Sequence, residues 1–95
     1  MGEESIRPQA VKAPEKEATA LVKHLRHNKL LKGLGISVYA YVNKKGIRAL
    51  HVAADKPKKN GSDWDRFDLH YKADTDLAVL DKNATKRIAA HFGLT

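Results

Sequence analysis

The sequence predicts an α+β domain of two layers in which the elements follow the order α-β-β-β-α. Two segments with the 3.6-residue periodicity of amphipathic helices flank three segments in which apolar and polar residues alternate with a period of two. Short connections between the alternating segments predict a three-stranded antiparallel meander. Because one helix would barely cover three strands, we expect both helices on one face of the sheet.

Residues 1–14 are predicted to form a flexible N-terminal arm, and residues 15–95 a single domain. The arm is polar, contains Pro8 and Pro14, and shows no hydrophobic periodicity. A chain of 95 residues leaves no room for a second domain, since a compact domain usually needs about 100 residues.

The first helix is predicted to begin directly after Pro14. Glu15 and Glu17 open it, and carboxylates suit the positive N-terminal end of a helix dipole. Its apolar residues have the i, i+3, i+4, i+7 spacing of one helix face: Ala18, Leu21, Val22 and Leu25. The stripe breaks near Asn28, which predicts a bend or full packing there, and the glycines at 33 and 35 end the helix.

Three strands are predicted at residues 36–42, 47–53 and 64–72. A turn at 43–46 joins the first two, and a basic loop at 56–62 joins the second and third. The apolar residues of the strands share one face, which we expect the helices to cover. The opposite face is expected to carry Ser37, Tyr39, Tyr41, His51, Arg66, His70 and Lys72.

The second helix is predicted over Ala84–Phe92, with Asp81 or Asn83 as its N-cap. The run 77–80 is too short to classify and fits either a docking turn or the start of this helix. Under this assignment three cations lie near the helix start, where backbone N–H groups also attract phosphate: Lys82, Lys86 and Arg87.

The amino-acid composition excludes several classes of protein but says little about which reaction or ligand this protein has. Lys and Arg number 18 against 11 Asp and Glu, which gives a net charge of +7. The chain has no cysteine, no apolar run near the ~20 residues of a membrane helix, and no signal-peptide core. We therefore expect a cytoplasmic protein that uses no cofactor, is not an enzyme and attracts polyanions.

The leading functional hypothesis is a protein that binds duplex DNA or RNA mainly through the phosphate backbone. Two tyrosines on the open sheet face are further candidates, because aromatic rings beside cations can stack on bases. The predicted contacts are Lys44, Lys45, Lys56, Lys58, Lys59, Lys82, Lys86, Arg87, Tyr39 and Tyr41.

The order of elements and the basic start of the last helix resemble the double-stranded RNA-binding domain. That family opens its second helix with a Lys-Lys-x-Ala-Lys pattern and an Ala-Ala pair, and Lys82, Ala84 and Ala89 fit this pattern within residues 81–90. The family's Gly-Pro-x-His loop is replaced here by residues 43–46. The same outline is similar to hic-type messenger-RNA-cleaving toxins, but the histidine that these toxins carry after Gly-Ser is absent.

A protein-binding module or inhibitor is the alternative hypothesis. It depends on Trp64, which stands in an acidic stretch with Asp63, Asp65 and Asp68 and has the size of an interface anchor. The same ring could instead fold over the edge of the domain and cap the core.

The histidines are candidates both for metal ligands and for acid–base groups. His24 and His27 share a helix face, but the spacing indicates no third ligand, and we predict no metal site. If the protein did hydrolyse a substrate, His51 and His70 would be the candidate pair, because adjacent strands could bring them together.

Overall fold

The structure, a computed structural model, describes residues 11–58 and 63–94. The elements are α1 (Glu15–Arg26), a 3₁₀ helix (Lys29–Leu31), β1 (Gly35–Val42), β2 (Arg48–Pro57), β3 (Trp64–Lys72) and α2 (Leu77–Phe92). The strands form one antiparallel sheet in the order β1-β2-β3. The predicted α-β-β-β-α fold is confirmed.

Both helices pack on the same face of the sheet. Leu21 and Leu25 of α1 and Ile88 of α2 are fully buried against Leu50 and Val52 of the central strand. The two helices run in the same direction, as the contacts between them show. Among the described residues no helix is long and apolar enough to cross a membrane.

Two contacts between the helices define this parallel arrangement. The ring of His24 lies 3.8 Å from the carboxylate of Asp81. Further along the chain in the same direction, the amide of Asn28, which follows α1, donates a hydrogen bond of 3.2 Å to the hydroxyl of Thr85, one turn beyond Asp81 on α2. The two α-helices and the 3₁₀ helix therefore form one continuous layer, called the helix layer below.

Asn28 also ends the first helical segment. Its backbone is extended, and its side-chain oxygen accepts a hydrogen bond of 2.9 Å from the Leu30 backbone N–H. This cap starts the short 3₁₀ helix, which turns Leu31 into the core and leaves Leu30 exposed. The break predicted near Asn28 is therefore a change of helix rather than a bend.

The turn between β1 and β2 forms where the sequence predicts it. The side-chain oxygen of Asn43 accepts hydrogen bonds from the backbone N–H groups of Lys45, at 2.8 Å, and Ile47, at 3.0 Å. Gly46 has a φ of +79°, a backbone angle that residues other than glycine rarely adopt. These local bonds explain why the five residues between β1 and β2 suffice to reverse the chain.

The second strand is longer than predicted, because β2 continues to Pro57 instead of ending at Ala53. The last residues of β2 pair with charged partners on β3: Asp55 lies opposite Arg66, and Lys56 lies opposite Asp65. Cross-strand pairs of opposite charge stabilise a sheet, so the polar end of the segment remains a strand. Lys56 therefore belongs to the strand and not to the loop.

The second helix starts seven residues earlier than predicted. Its N-cap is Asp76, whose carboxylate accepts a hydrogen bond from the Ala78 backbone N–H, and not Asp81 or Asn83. The buried residues Leu80, Ala84 and Ile88 form one stripe, which makes the unclassified run 77–80 the first turn of the helix.

The described end of the predicted arm contacts the domain. Pro14 is fully buried, and the Lys12 carbonyl accepts a hydrogen bond of 3.0 Å from the Arg48 guanidinium. Arg48 also pairs with Glu17 on α1, at 3.2 Å. The remainder of the predicted arm, residues 1–10, lies outside the described residues.

Candidate nucleic-acid interface

The sheet face opposite the helices carries a cluster of rings and charges and is called the open face below. All seven residues predicted for it lie on it, because alternate side chains of a strand point to opposite faces. The register places Tyr39, His51 and His70 side by side across the three strands. The same alternation adds Asp55, Asp68 and Trp64 to this face.

Four rings of the open face form a continuous row. The imidazoles of His51 and His70 are stacked, with centroids 4.4 Å apart and planes 20° apart. Tyr39 packs against His51 at 5.7 Å, and Tyr41 meets His70 edge-on at 6.0 Å. The rings therefore support one another without any contribution from the helix layer.

Hydrogen bonds fix the row in place. His51 Nε2 donates to Asp68 Oδ1 at 2.7 Å, and Arg66 Nε donates to the same oxygen at 3.1 Å. The hydrogen bond from His51 holds the pKa of the Asp68 carboxyl below its usual value, so this carboxylate is ionised at neutral pH. On the other side of the stack, His70 Nδ1 and the Tyr41 hydroxyl are hydrogen-bonded at 3.0 Å.

Two alanines of β2 show how closely these side chains cover the sheet. Ala53 is 1% exposed and Ala49 is 6% exposed, although both lie on the open face. Larger neighbours on the adjacent strands shield them from water. The open face is therefore an ordered surface of packed side chains before any ligand binds.

Two large aromatic side chains of the open face are accessible to a ligand. Tyr39 is 52% exposed on β1, and Trp64 is 63% exposed at the start of β3. The interpretation of Trp64 as a cap on the core is therefore wrong. At this point β3 pairs with Pro57, and alternation puts the ring on the open face, on the opposite side of the sheet from the core.

The predicted basic contacts divide between two surfaces. Lys44 and Lys45 lie in the turn at one end of the sheet, and Lys56 and Lys58 lie at its other end, near Trp64. Alternation puts the Lys56 side chain on the helix side, opposite Asp65. The tyrosines lie between them. Lys59 lies outside the described residues.

The three cations of α2 lie elsewhere. They are exposed on the helix layer, on the opposite side of the sheet from the tyrosines: Lys82, Lys86 and Arg87. Because α2 begins at Leu77, they lie within the helix and not at its start as predicted. The positive end of the helix dipole therefore does not add to their attraction for phosphate.

Both surfaces have an excess of positive charge. Around the open face five cations oppose three carboxylates, a net charge of +2: Lys44, Lys45, Lys58, Arg66 and Lys72 against Asp55, Asp63 and Asp68. The helix layer has eight cations against three carboxylates, a net charge of +5: Lys16, Lys23, Arg26, Lys29, Lys32, Lys82, Lys86 and Arg87 against Glu15, Glu17 and Asp81. Charge alone does not distinguish the two surfaces.

The acidic stretch around Trp64 is partly neutralised by its neighbours. Asp68 accepts from His51 and Arg66, and Asp65 lies 3.4 Å from His91 of α2. The segment therefore presents an exposed indole ring rather than an open acidic patch. Of the predicted protein-binding set, Trp64 and Asp63 are exposed, whereas Asp65 and Asp68 are bonded to neighbouring side chains.

The two candidate histidine pairs, His24 with His27 and His51 with His70, have different surroundings in the structure. Within residues 11–58 and 63–94, no group of three side chains from His, Cys, Asp and Glu is placed to hold a metal ion. His24 instead pairs with Asp81, and His27 bonds the Lys23 carbonyl of its own helix. His51 and His70, in contrast, are brought together as the hydrolysis argument required.

Two residues that form this hydrogen-bond network have a role in orienting His51 that the sequence does not predict. Asp68 and Arg66 hold His51 in its orientation, and Asp68 reaches His51 diagonally across two strands. Alternation along β3 put both residues on the same face as His70. The diagonal contact depends on the register between β2 and β3, which alternation does not reveal.

Comparison of the chain with protein-family models, with curated proteins and with solved structures found no match.

Proposed function

We propose that this protein binds nucleic acid and that single strands lie across the open face of the sheet. The observation that carries the proposal is the set of ordered rings on the open face, of which Tyr39 is exposed, together with the exposed Trp64 and the lysines at both ends of the sheet. Single-strand binding proteins combine such stacking surfaces with a positive groove that follows the backbone. The helix layer has the charge, but its described residues include no tyrosine or tryptophan.

Each part of the open face has a role in this proposal. The exposed rings of Tyr39 and Trp64 offer stacking surfaces for bases, while the stacked histidines present their edges to hydrogen-bonding groups. The lysines at either end contact phosphates. The ten residues of β2 span about 33 Å, which suits a site near the lower end of the roughly 4–16 nucleotides bound by small single-strand modules.

Duplex binding by the helix layer is the second candidate. Its supporting observation is the net charge of +5 on that layer, where no described carboxylate lies within 4.0 Å of a lysine ammonium. A surface of this kind binds the phosphate backbone with little sequence preference. The two candidates use opposite sides of the molecule and can be separated by substitution.

We expect the variant with Tyr39→Ala and Tyr41→Ala to lose single-strand affinity while it keeps any duplex affinity. Stacking contributes roughly 1–3 kcal/mol per base, so the loss is about 5-fold to 150-fold for each base that leaves its ring. Fluorescence anisotropy with a labelled oligonucleotide, single-stranded or annealed to its complement, measures both affinities.

Two matched variants make this comparison decisive. Tyr39→Phe with Tyr41→Phe keeps both rings and should retain single-strand binding. Lys86→Ala with Arg87→Ala removes two cations from the helix layer and should leave single-strand binding within about two-fold. If this second variant loses affinity and the tyrosine-to-alanine variant does not, the interface is the helix layer and the proposed face is wrong.

Trp64→Ala is expected to leave the melting temperature nearly unchanged, because the ring is exposed and substitutions of this kind usually alter stability by no more than about 0.5 kcal/mol. Single-strand affinity should fall by the contribution of one stacked base, in the range of about 5-fold to 150-fold. Thermal denaturation followed by circular dichroism and the same anisotropy assay measure the two effects. Full retention of single-strand binding would instead favour a protein partner for this ring.

A further inference from the structure

The stacked histidines at the centre of the open face form an acid–base pair held from both sides. His51 is bonded to Asp68 at 2.7 Å and His70 to Tyr41 at 3.0 Å, with the two rings 4.4 Å apart. Imidazole is the side chain best suited to exchange protons near neutral pH. The pair lies midway between the cationic ends of the face.

The bond to Asp68 determines which nitrogen of His51 can act as a base. An ionised carboxylate only accepts hydrogen bonds, so His51 Nε2 must carry the proton that it donates. In neutral His51 the lone pair is then on Nδ1, to which no described residue hydrogen-bonds. A base oriented by a third group in this way is a recurrent feature of catalytic sites.

The bond to Tyr41 has the complementary effect on His70. Because Nδ1 of this ring is bonded to the tyrosine hydroxyl, Nε2 is the nitrogen left for a ligand. When His70 is protonated, Nε2 carries a proton that it can donate. The two imidazoles thus expose one nitrogen that accepts a proton and one that donates a proton, on rings whose centroids are 4.4 Å apart.

We propose that the open face cleaves single-stranded RNA by general acid–base catalysis, with His51 as the base and His70 as the acid; this rests on the proposed function. His51 Nδ1 takes the proton of a ribose 2′-hydroxyl, and the 2′-oxygen forms a bond to the adjacent phosphorus. The bond from phosphorus to the 5′-oxygen breaks, and His70 Nε2 donates its proton to that oxygen.

The products are a 2′,3′-cyclic phosphate and a 5′-hydroxyl end, and the step consumes neither water nor a redox partner. DNA lacks the 2′-hydroxyl and is a binder but not a substrate. Arg66 lies beside Asp68, and Lys72 lies two residues beyond His70 on the same face. Both cations are placed near the charge that develops on the phosphate oxygens.

The test incubates the whole chain with a labelled single-stranded RNA in the presence of EDTA and identifies the ends by mass spectrometry. We expect cyclic phosphate ends from RNA and no cleavage of the matching DNA. His51→Ala and His70→Ala should each reduce the rate by about 10²-fold to 10⁴-fold, as loss of a general acid or base does. His24→Ala with His27→Ala, purified in parallel, should keep full activity.

Binding is measured separately with the same strand carrying 2′-O-methyl groups, which cannot be cleaved. Both histidine variants should bind it within about three-fold of the parent chain, and His51→Gln tests the base role again if His51→Ala melts early. Parent protein that binds this strand but does not cleave RNA overturns the catalytic inference and leaves the proposed function standing. Parent protein that does not bind it overturns both.

Cleavage that persists unchanged in the His51 and His70 variants also overturns the inference, because the activity then comes from another protein in the sample. Asp68→Asn supplies a further check on the positioning role of Asp68. It should lower the cleavage rate by about ten-fold or more at unchanged affinity, since the amide no longer enforces the Nε2–H tautomer of His51. A rate equal to that of the parent chain would contradict the assigned base.

Discussion

Replacing Leu50 by Ala is expected to lower the free energy of unfolding by about 2–5 kcal/mol. Leu50 lies in the central strand and is 0% exposed, with residues of both helices and both neighbouring strands in the same cluster. The substitution leaves a cavity that no single element can fill by moving. Small domains have a total stability of about 5–15 kcal/mol, so this loss is a large share of it.

Chemical denaturation measures this effect, and a surface variant provides the control. Val79→Ala removes an apolar side chain that is more than half exposed on α2 and should change the stability by no more than about 0.5 kcal/mol. Leu50→Met keeps the volume and should cost less than about 1.5 kcal/mol. Equal losses for Leu50→Ala and Val79→Ala would contradict the described core.

Single-strand affinity is expected to fall steeply with salt. If all five cations around the open face contact phosphates, affinity should decrease about 100-fold between 50 and 200 mM monovalent salt, because each contact releases bound counterions. Anisotropy titrations at several salt concentrations give the slope. A flat dependence would remove nucleic acid as the ligand and favour a protein partner.

Lys56→Ala with Lys58→Ala tests the contribution of the cations at one end of the sheet. Both side chains are exposed, so the variant should melt like the parent chain. Its affinity should fall by similar factors for unrelated strand sequences, and the salt slope should become shallower by about 0.7 for each phosphate that a lysine no longer neutralises. A decrease confined to one sequence would indicate base recognition instead.

The two proposals for the open face depend on different properties of the same side chains. Binding requires the exposed rings and the cations at the ends of the sheet, whereas cleavage requires the proton-accepting and proton-donating nitrogens of the histidine pair. A protein with the first property alone would be a passive single-strand binder. The contacts that orient His51 and His70 are not needed for stacking, and this distinguishes the two proposals physically.

Local patterns in the sequence were sufficient for the fold class and for most element positions. Period-two alternation places Tyr39 and Tyr41 on one face and their neighbours on the other, whatever the strands pair with. The turn at Asn43 depends on bonds within five residues, and it forms where predicted. Such features depend on contacts close in the chain, which sequence reasoning can evaluate.

Element ends and the site itself depended on tertiary contacts. β2 extends to Pro57 because of partners on β3, and α2 begins at Leu77 because its first turn is part of the stripe buried against the core. The composition of the run 77–80 allows either a turn or a helix, so only packing decides between them.

The sequence by itself determined which side chains share the open face, since alternation assigns every strand residue to one side. Only the tertiary structure decided which of them touch. The stack of His51 on His70 and the diagonal bond from His51 to Asp68 require one register between β2 and β3. A register is set by the burial of the whole sheet against two helices, and a shift of β3 by one residue would move His70 and Asp68 to the face opposite His51.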